Sequence, residues 1–258
     1  MDHWMPGDEW SIDEVYDELD AQRIALGMQP LKEAKTDESK TKDTSEYTEK
    51  ELGLYNRSIY VSVDLGKKAD FSALVFIEPF IPKDSDKEQF TYHISKIKRY
   101  DLETPYPRIA RTLQKIDEQL TASEDFEYIH YVFDEGGVGA AVTDQVCELI
   151  PNADVYRITL SGGTLPNWRT GRNIILPKPQ MVSVLIALLE SDRILIPSGA
   201  FQANILKEEL LNYEHKISKV GYDQFGSIKT GQHDDIVSAI GMGVWLANDV
   251  GGVGDVFW

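Results

Sequence analysis

From Ile59 the chain alternates apolar and polar positions with a period of two. Ile59, Val61 and Val63 share one face of a segment that ends at Asp64, which is the pattern of a strand. Two more apolar runs follow, SALVFIEPF over 72–80 and a second over 90–100, separated by the charged turn PKDSDKEQ. Three strands this close together predict an antiparallel meander. The period then lengthens. Ile109, Leu113, Ile116 and Leu120 recur at helical spacing. A fourth strand, YIHYVF, ends at Asp134, and Val138, Val142, Val146 and Leu149 mark the next helix. VYRITL is a fifth strand. A helix is expected over Pro179–Ser191, carrying Val182, Leu185, Ile186 and Leu189, then a short strand or extended piece over 193–197 and a helix from about Ala200 to Tyr213. KISKVGYDQFGSIKTG has the turn residues of a hairpin or ordered loop. The last helix starts at the pair Asp234–Asp235. The order predicts an α/β domain: a mixed sheet, antiparallel meander first and parallel strands after, with helices on both faces.

Ahead of this domain the pattern differs. Residues 11–27 read as a short acidic helix, with Ser11 as N-cap, Glu14 three residues on and Gly27 as its stop. Residues 31–50 mix both charge signs, have almost no apolar content and read as a flexible linker. The expected division is therefore 1–50 for the acidic helix and linker, 51–250 for the folded domain and 251–258 for a C-terminal tail ending in Phe257 and Trp258.

Charge and composition narrow the function. The net charge of −17 argues against a surface that holds nucleic acid by electrostatics alone. Residues 1–50 carry 14 acidic and 6 basic side chains, so about half of the excess lies there. Divalent cations on a carboxylate cluster would offset part of the remainder. The single cysteine, Cys147, excludes an internal disulfide, fits a reducing cytosol and falls on an apolar helix face, where a core role is expected. No basic and apolar leader opens the chain, and no apolar run is long enough to span a bilayer. A G-x-x-x-x-G-K-[ST] loop is absent, so no nucleotide-hydrolysing motor is expected within the chain.

The candidate chemistry lies in carboxylates at element ends. Asp64 and Asp134 each close an apolar strand, and parallel neighbours would bring both to the edge where α/β ligand sites lie. Gly136, Gly137 and Gly139 let the chain turn tightly after Asp134. Asp70 lies just across the turn from Asp64, and the last helix can deliver Asp234 or Asp235 to the same edge. Several carboxylates cannot stay ionised together without counter-charge. Oxygen-only donors suit Mg²⁺ or Mn²⁺, and two such ions about 3.5–4 Å apart support phosphodiester hydrolysis. Asp64 is expected to bridge both ions, Asp134 to hold one and the Asp234–Asp235 pair the other. Taken singly, each residue has a bland explanation: an Asp at a strand end forms turns or caps helices, and His233 is a local hydrogen-bonding residue. The adjacent pair Asp234–Asp235 is the least easily dismissed, since one aspartate suffices as a cap. Lys67, Lys68, Arg169, Arg172, Lys178, Lys216, Lys219 and Lys229 are the basic groups that could meet phosphate, with Lys178, Arg172, Lys216 and Lys219 foremost; Arg169 and Arg172 can equally be solvated loop charges.

Four motifs in order resemble the nuclease domain of large terminases, the DNA-packaging enzymes of tailed bacteriophages. They are IYVSVDLGKKADFSALVF, YVFDEGGVGAAVTDQV, LPKPQMVSVLIALLESDRILIP with Lys178 before its helix, and GQHDDIVSAIGMGVWLA. Together they span Ser58 to Asn248. The resemblance implies a ribonuclease H-like fold and two-metal cleavage of double-stranded DNA. It implies Asp64, Asp134 and one or both of Asp234 and Asp235 as ligands of Mg²⁺ or Mn²⁺, with Asp70 as an auxiliary acid. It implies a packaging ATPase, small terminase and portal proteins as partners, no membrane, and action in the host cytoplasm. Large terminases carry an ATPase domain ahead of the nuclease, where this sequence has an acidic helix and linker. Two other readings stand beside it: a junction resolvase or transposase-type nuclease on the same fold, and a non-catalytic domain that docks to a packaging motor.

Overall fold

The computed structural model describes residues 52–53, 58–66, 70–82, 89–123, 126–136, 139–196, 202–217, 223–227 and 233–250. The expected N-terminal helix, the linker and the C-terminal tail lie outside these residues.

The elements follow the order β1 (Leu52–Gly53), β2 (Ser58–Asp64), β3 (Ala73–Pro82), β4 (Thr91–Arg99), α1 (Tyr106–Ser123), β5 (Tyr128–Asp134), α2 (Gly139–Leu149), β6 (Asp154–Ser161), β7 (Asn167–Trp168), β8 (Asn173–Pro177), α3 (Lys178–Glu190), β9 (Ile194–Leu195), α4 (Ala203–Asn212), β10 (Tyr213–Ile217), β11 (Asp223–Ser227) and α5 (Asp235–Val250). One sheet runs β7-β8-β6-β5-β2-β3-β4-β9, and β1 pairs with the outer end of β3. The expected meander is present as β2-β3-β4, antiparallel throughout. β5, β6 and β8 extend the sheet on the other side of β2 as parallel strands. β10 and β11 form a separate antiparallel hairpin in the stretch before α5.

Helices cover both faces, as expected. α1 and α2 pack on the face that carries Ile59, Val61 and Val63, together with Ile109, Leu113, Val142 and Val146. The other face, with Tyr60, Val75 and Ile77, lies under α3, α4 and α5. β2 is therefore buried on both sides, Ser58 to Val63 without exception. The period-two pattern identifies only one of these faces, because Tyr60 and Ser62 look like solvent-facing positions. The Ser62 hydroxyl instead donates to the Ala239 carbonyl at 2.6 Å, so its polar group is satisfied inside the core.

α5 is buried along its whole circumference from Asp235 to Ala247. A helix that is apolar all round belongs in the centre of a packed layer rather than on a surface. Its small residues permit that position. A side-chain carbon added at Gly243 would lie 2.3 Å from Ile77 Cδ1 and 2.9 Å from Ser62 Cβ, so only glycine allows this approach to β2 and β3.

Candidate active site

The sheet register brings the first two carboxylates together. Val63 pairs with Phe133 across the parallel β2–β5 ladder, and the next residue of each strand is Asp64 and Asp134. Both strands thus end side by side at one edge. After Asp64 the chain doubles back tightly: an added carbon at Gly66 would meet the carbonyl oxygens of Phe71 at 2.1 Å and Asp70 at 2.4 Å. The Ser72 hydroxyl accepts the Gly66 N–H at 3.2 Å, and the Tyr106 hydroxyl donates to the Gly66 carbonyl at 2.8 Å. After Asp134 the backbone curls over its own side chain, and Gly136 N–H donates to Asp134 Oδ1 at 2.7 Å. Gly139, which opens α2, would place an added carbon 1.9 Å from the Asp134 carbonyl.

α5 supplies the remaining acids. Asp234 is the residue before the helix, and its carbonyl accepts the Ser238 N–H at 2.8 Å. Its carboxylate meets Lys178, the first residue of α3, at 3.2 Å. Asp235 is buried, and its Oδ2 has no hydrogen-bond partner among the described residues. His233 Nδ1 stands 3.9 Å from Asp235 Oδ2 and 4.0 Å from Asp70 Oδ1.

The electrostatics of Asp64 report this convergence. Burial first, then the charges of Asp134, Asp235 and Asp234, push its carboxyl well above the ordinary range, against an opposing pull from Lys178. Asp235 is pushed up to about 7, chiefly by burial, with Arg99 opposing and Asp234 and Asp70 adding to the rise. These acids therefore lie within one another's fields.

The carboxylate oxygens suit a hard divalent cation, and Asp235 Oδ2 is a buried acceptor that meets no donor among the described residues. Among the described residues no three His, Cys, Asp or Glu side chains already surround one ion-sized point. Asp134 accepts from the Gly136 N–H, and Asp234 meets Lys178.

The fold has solved counterparts. A human cytomegalovirus terminase nuclease domain soaked with Mn has a TM-score of 0.50 at 11% identity, covering 84% of this chain and 93% of that one. The chain has the ribonuclease H-like fold of terminase nuclease domains. Similar too are the large terminase nuclease of thermophilic phage G20c with bound magnesium (TM-score 0.45, 20% identity, 72% of this chain and 79% of that one) and the nuclease domain of the bacteriophage SPP1 large terminase with bound Mn (0.45, 15%, 79% and 93%). No protein-family model matches the sequence, and no curated protein does.

Within this terminase-type nuclease fold, the other expected residues take varied places. Arg172 is not a free loop charge: its guanidinium meets Asp154 at 2.6 Å and lies 5.4 Å from the Tyr156 ring. Lys67, Lys68, Lys219 and Lys229 lie outside the described residues, as does the side chain of Lys216, whose backbone belongs to β10. Cys147 departs from the core role expected of it: it is half-buried, and its Sγ accepts from Arg157 Nη2 at 3.4 Å. Arg157 itself bonds Glu135, the neighbour of Asp134, at 2.9 Å and Asp144 at 2.8 Å, tying the Asp134 turn to β6 and α2. Sequence spacing gave no notice of Arg157, nor of Glu209 and Arg99, which reach the start of α5 from α4 and β4.

Proposed function

We propose that this chain is a metal-dependent endonuclease that cuts double-stranded viral DNA during genome packaging. The observation that carries the proposal is the side-by-side ending of β2 and β5 at Asp64 and Asp134, with Asp234 and Asp235 at the start of α5 close enough to raise the Asp64 carboxyl, and an Asp235 Oδ2 that is buried with no hydrogen-bond partner among the described residues. The similarity to terminase nuclease domains solved with magnesium or manganese supports it.

A pair of Mg²⁺ or Mn²⁺ ions, when bound, supplies the Lewis-acid charge for phosphodiester hydrolysis. Asp64, Asp134 and the Asp234–Asp235 pair would hold these ions, with Asp64 serving both, Asp134 one and the α5 pair the other. Lys178 offsets negative charge beside Asp234 and presents a cation at the edge where a phosphate would approach. His233 stands near both Asp70 and Asp235, at 4.0 and 3.9 Å. In this role the enzyme would act in the host cytoplasm with a packaging ATPase, small terminase and portal.

The test is incubation of the purified protein with supercoiled plasmid and Mn²⁺ or Mg²⁺, with EDTA as control. Conversion to nicked or linear DNA that EDTA stops and Asp64→Asn lacks is the expected result. Plasmid that stays supercoiled at every metal concentration sinks the proposal.

A further inference from the structure

The first turn of a helix leaves N–H groups that the residue before the helix normally satisfies with its side chain. In α5 that residue is Asp234, yet its carboxylate is engaged with Lys178. The N–H groups of Ile236 and Val237 go to Glu209 instead, both to Oε2, at 2.8 and 3.1 Å. Glu209 comes from α4, 27 residues away in sequence, and is almost fully buried. Its other oxygen, Oε1, meets Arg99 Nη1 at 3.3 Å.

Arg99 is fixed in turn. Gln202, at φ 67, receives the Arg99 N–H on its side-chain oxygen and donates its amide to the Arg99 carbonyl at 3.1 Å. The guanidinium lies 3.5 Å from the centre of the Phe71 ring, and Phe71 meets His233 edge-on at 4.6 Å. The start of α5 is thus held by groups from α4 and β4. Neither aspartate needs to serve as its cap.

We propose that Glu209, backed by Arg99, is a positioning residue that caps α5 in place of Asp234 and so leaves the Asp234 and Asp235 carboxylates free to take a divalent cation. This rests on the nuclease reading above. Two details support it. The buried Asp235 Oδ2 has no hydrogen-bond partner among the described residues, so the helix that carries it sets where it lies. The Asp234 carboxylate is held at 3.2 Å by Lys178, a residue outside α5.

The test is manganese binding to the full chain, followed by electron paramagnetic resonance of free Mn²⁺, beside the Mn²⁺ concentration that gives half-maximal plasmid cleavage. The double variant Glu209→Leu/Arg99→Met removes the cap and its partner together, so neither of those two is left buried alone. It should fold, yet bind Mn²⁺ at least about tenfold more weakly and need correspondingly more Mn²⁺ for cleavage, the scale expected when the support of a metal ligand is lost. Glu209→Gln keeps an acceptor for the two N–H groups and should stay within about threefold of wild type. A folded double variant with wild-type affinity overturns the proposal. Should the double variant not fold, Glu209→Gln decides: weak Mn²⁺ binding by that folded variant would show that the charge matters rather than the cap, which also overturns it. If wild type itself neither binds Mn²⁺ nor cuts DNA, it is the nuclease reading that fails.

Discussion

At the scale of the residue, Asp64 carries the sharpest expectation. Its carboxyl is raised by burial and by three neighbouring carboxylates, so its charge is a liability in the metal-free protein. Asp64→Asn keeps the shape and removes a repelled charge. The variant should fold and melt no lower than wild type without metal, yet lose the metal-dependent rise in melting temperature and all cleavage. Differential scanning calorimetry with and without Mn²⁺ checks both halves, and a variant that still gains stability from Mn²⁺ would remove Asp64 from the site. Asp64, Asp134 and the Asp234–Asp235 pair were legible in the sequence because each stands at an element boundary, where apolar pattern and charge change together. Glu209 and Arg99 were not. Each is one charged residue among several on an amphipathic element, and only the fold shows that these face the start of α5.

At the scale of the element, α5 makes the site possible by lying against the centre of the sheet. Its two glycines differ in what surrounds them. At Gly243 an added methyl meets Ser62 Cβ and Ile77 Cδ1 of two packed central strands, so Gly243→Ala should cost about 1–3 kcal/mol by overpacking. At Gly241 the nearest atoms, 3.1 Å away, belong to the flexible Met181 side chain. There the helix gains about 0.5–1 kcal/mol from replacing glycine, and Gly241→Ala should be close to neutral. Urea unfolding of the two variants separates them; equal losses would mean that the α5–sheet contact is looser than described. Long elements with a clear period, such as β2 to β4 and α1, were readable from sequence. β7 and β8 were not, because Asn167–Trp168 and Asn173–Pro177 are too short to display a period, and their pairing depends on β6. KISKVGYDQFGSIKTG, read as a hairpin or ordered loop, holds β11 and the end of β10, which starts three residues earlier at Tyr213, where a helix was expected to end.

At the scale of the whole molecule, charge governs both substrate and stability. A net charge of −17 repels phosphate, so duplex DNA should bind weakly without metal and lose affinity steeply with added salt; fluorescence anisotropy at several salt concentrations measures the slope, and tight salt-insensitive binding would contradict it. The acid site also gives the fold a pH dependence whose sign follows from its buried carboxyls. Burial, then Asp235, push Glu209 up to about 8, despite the Val237, Ile236 and Arg99 donors, and Asp235 lies at about 7. In the unfolded chain such groups ionise near about pH 4. Between those limits the native state holds protons that the unfolded state has released, so this contribution is complete in acid and lost as pH rises through 7 and 8. His93, lowered by burial despite the pull of Glu78, acts in the opposite sense only where free histidine would protonate, below about pH 6.5. The metal-free protein should therefore melt progressively lower from about pH 6.5 to about pH 8.5. A divalent cation needs the ionised carboxylates and binds the native state alone, so its stabilisation should grow over the same interval. Melting curves with EDTA and with Mg²⁺ across that range decide the matter: a metal-free protein that gains stability towards alkaline pH would mean that these acids are already ionised and compensated by groups of the chain itself.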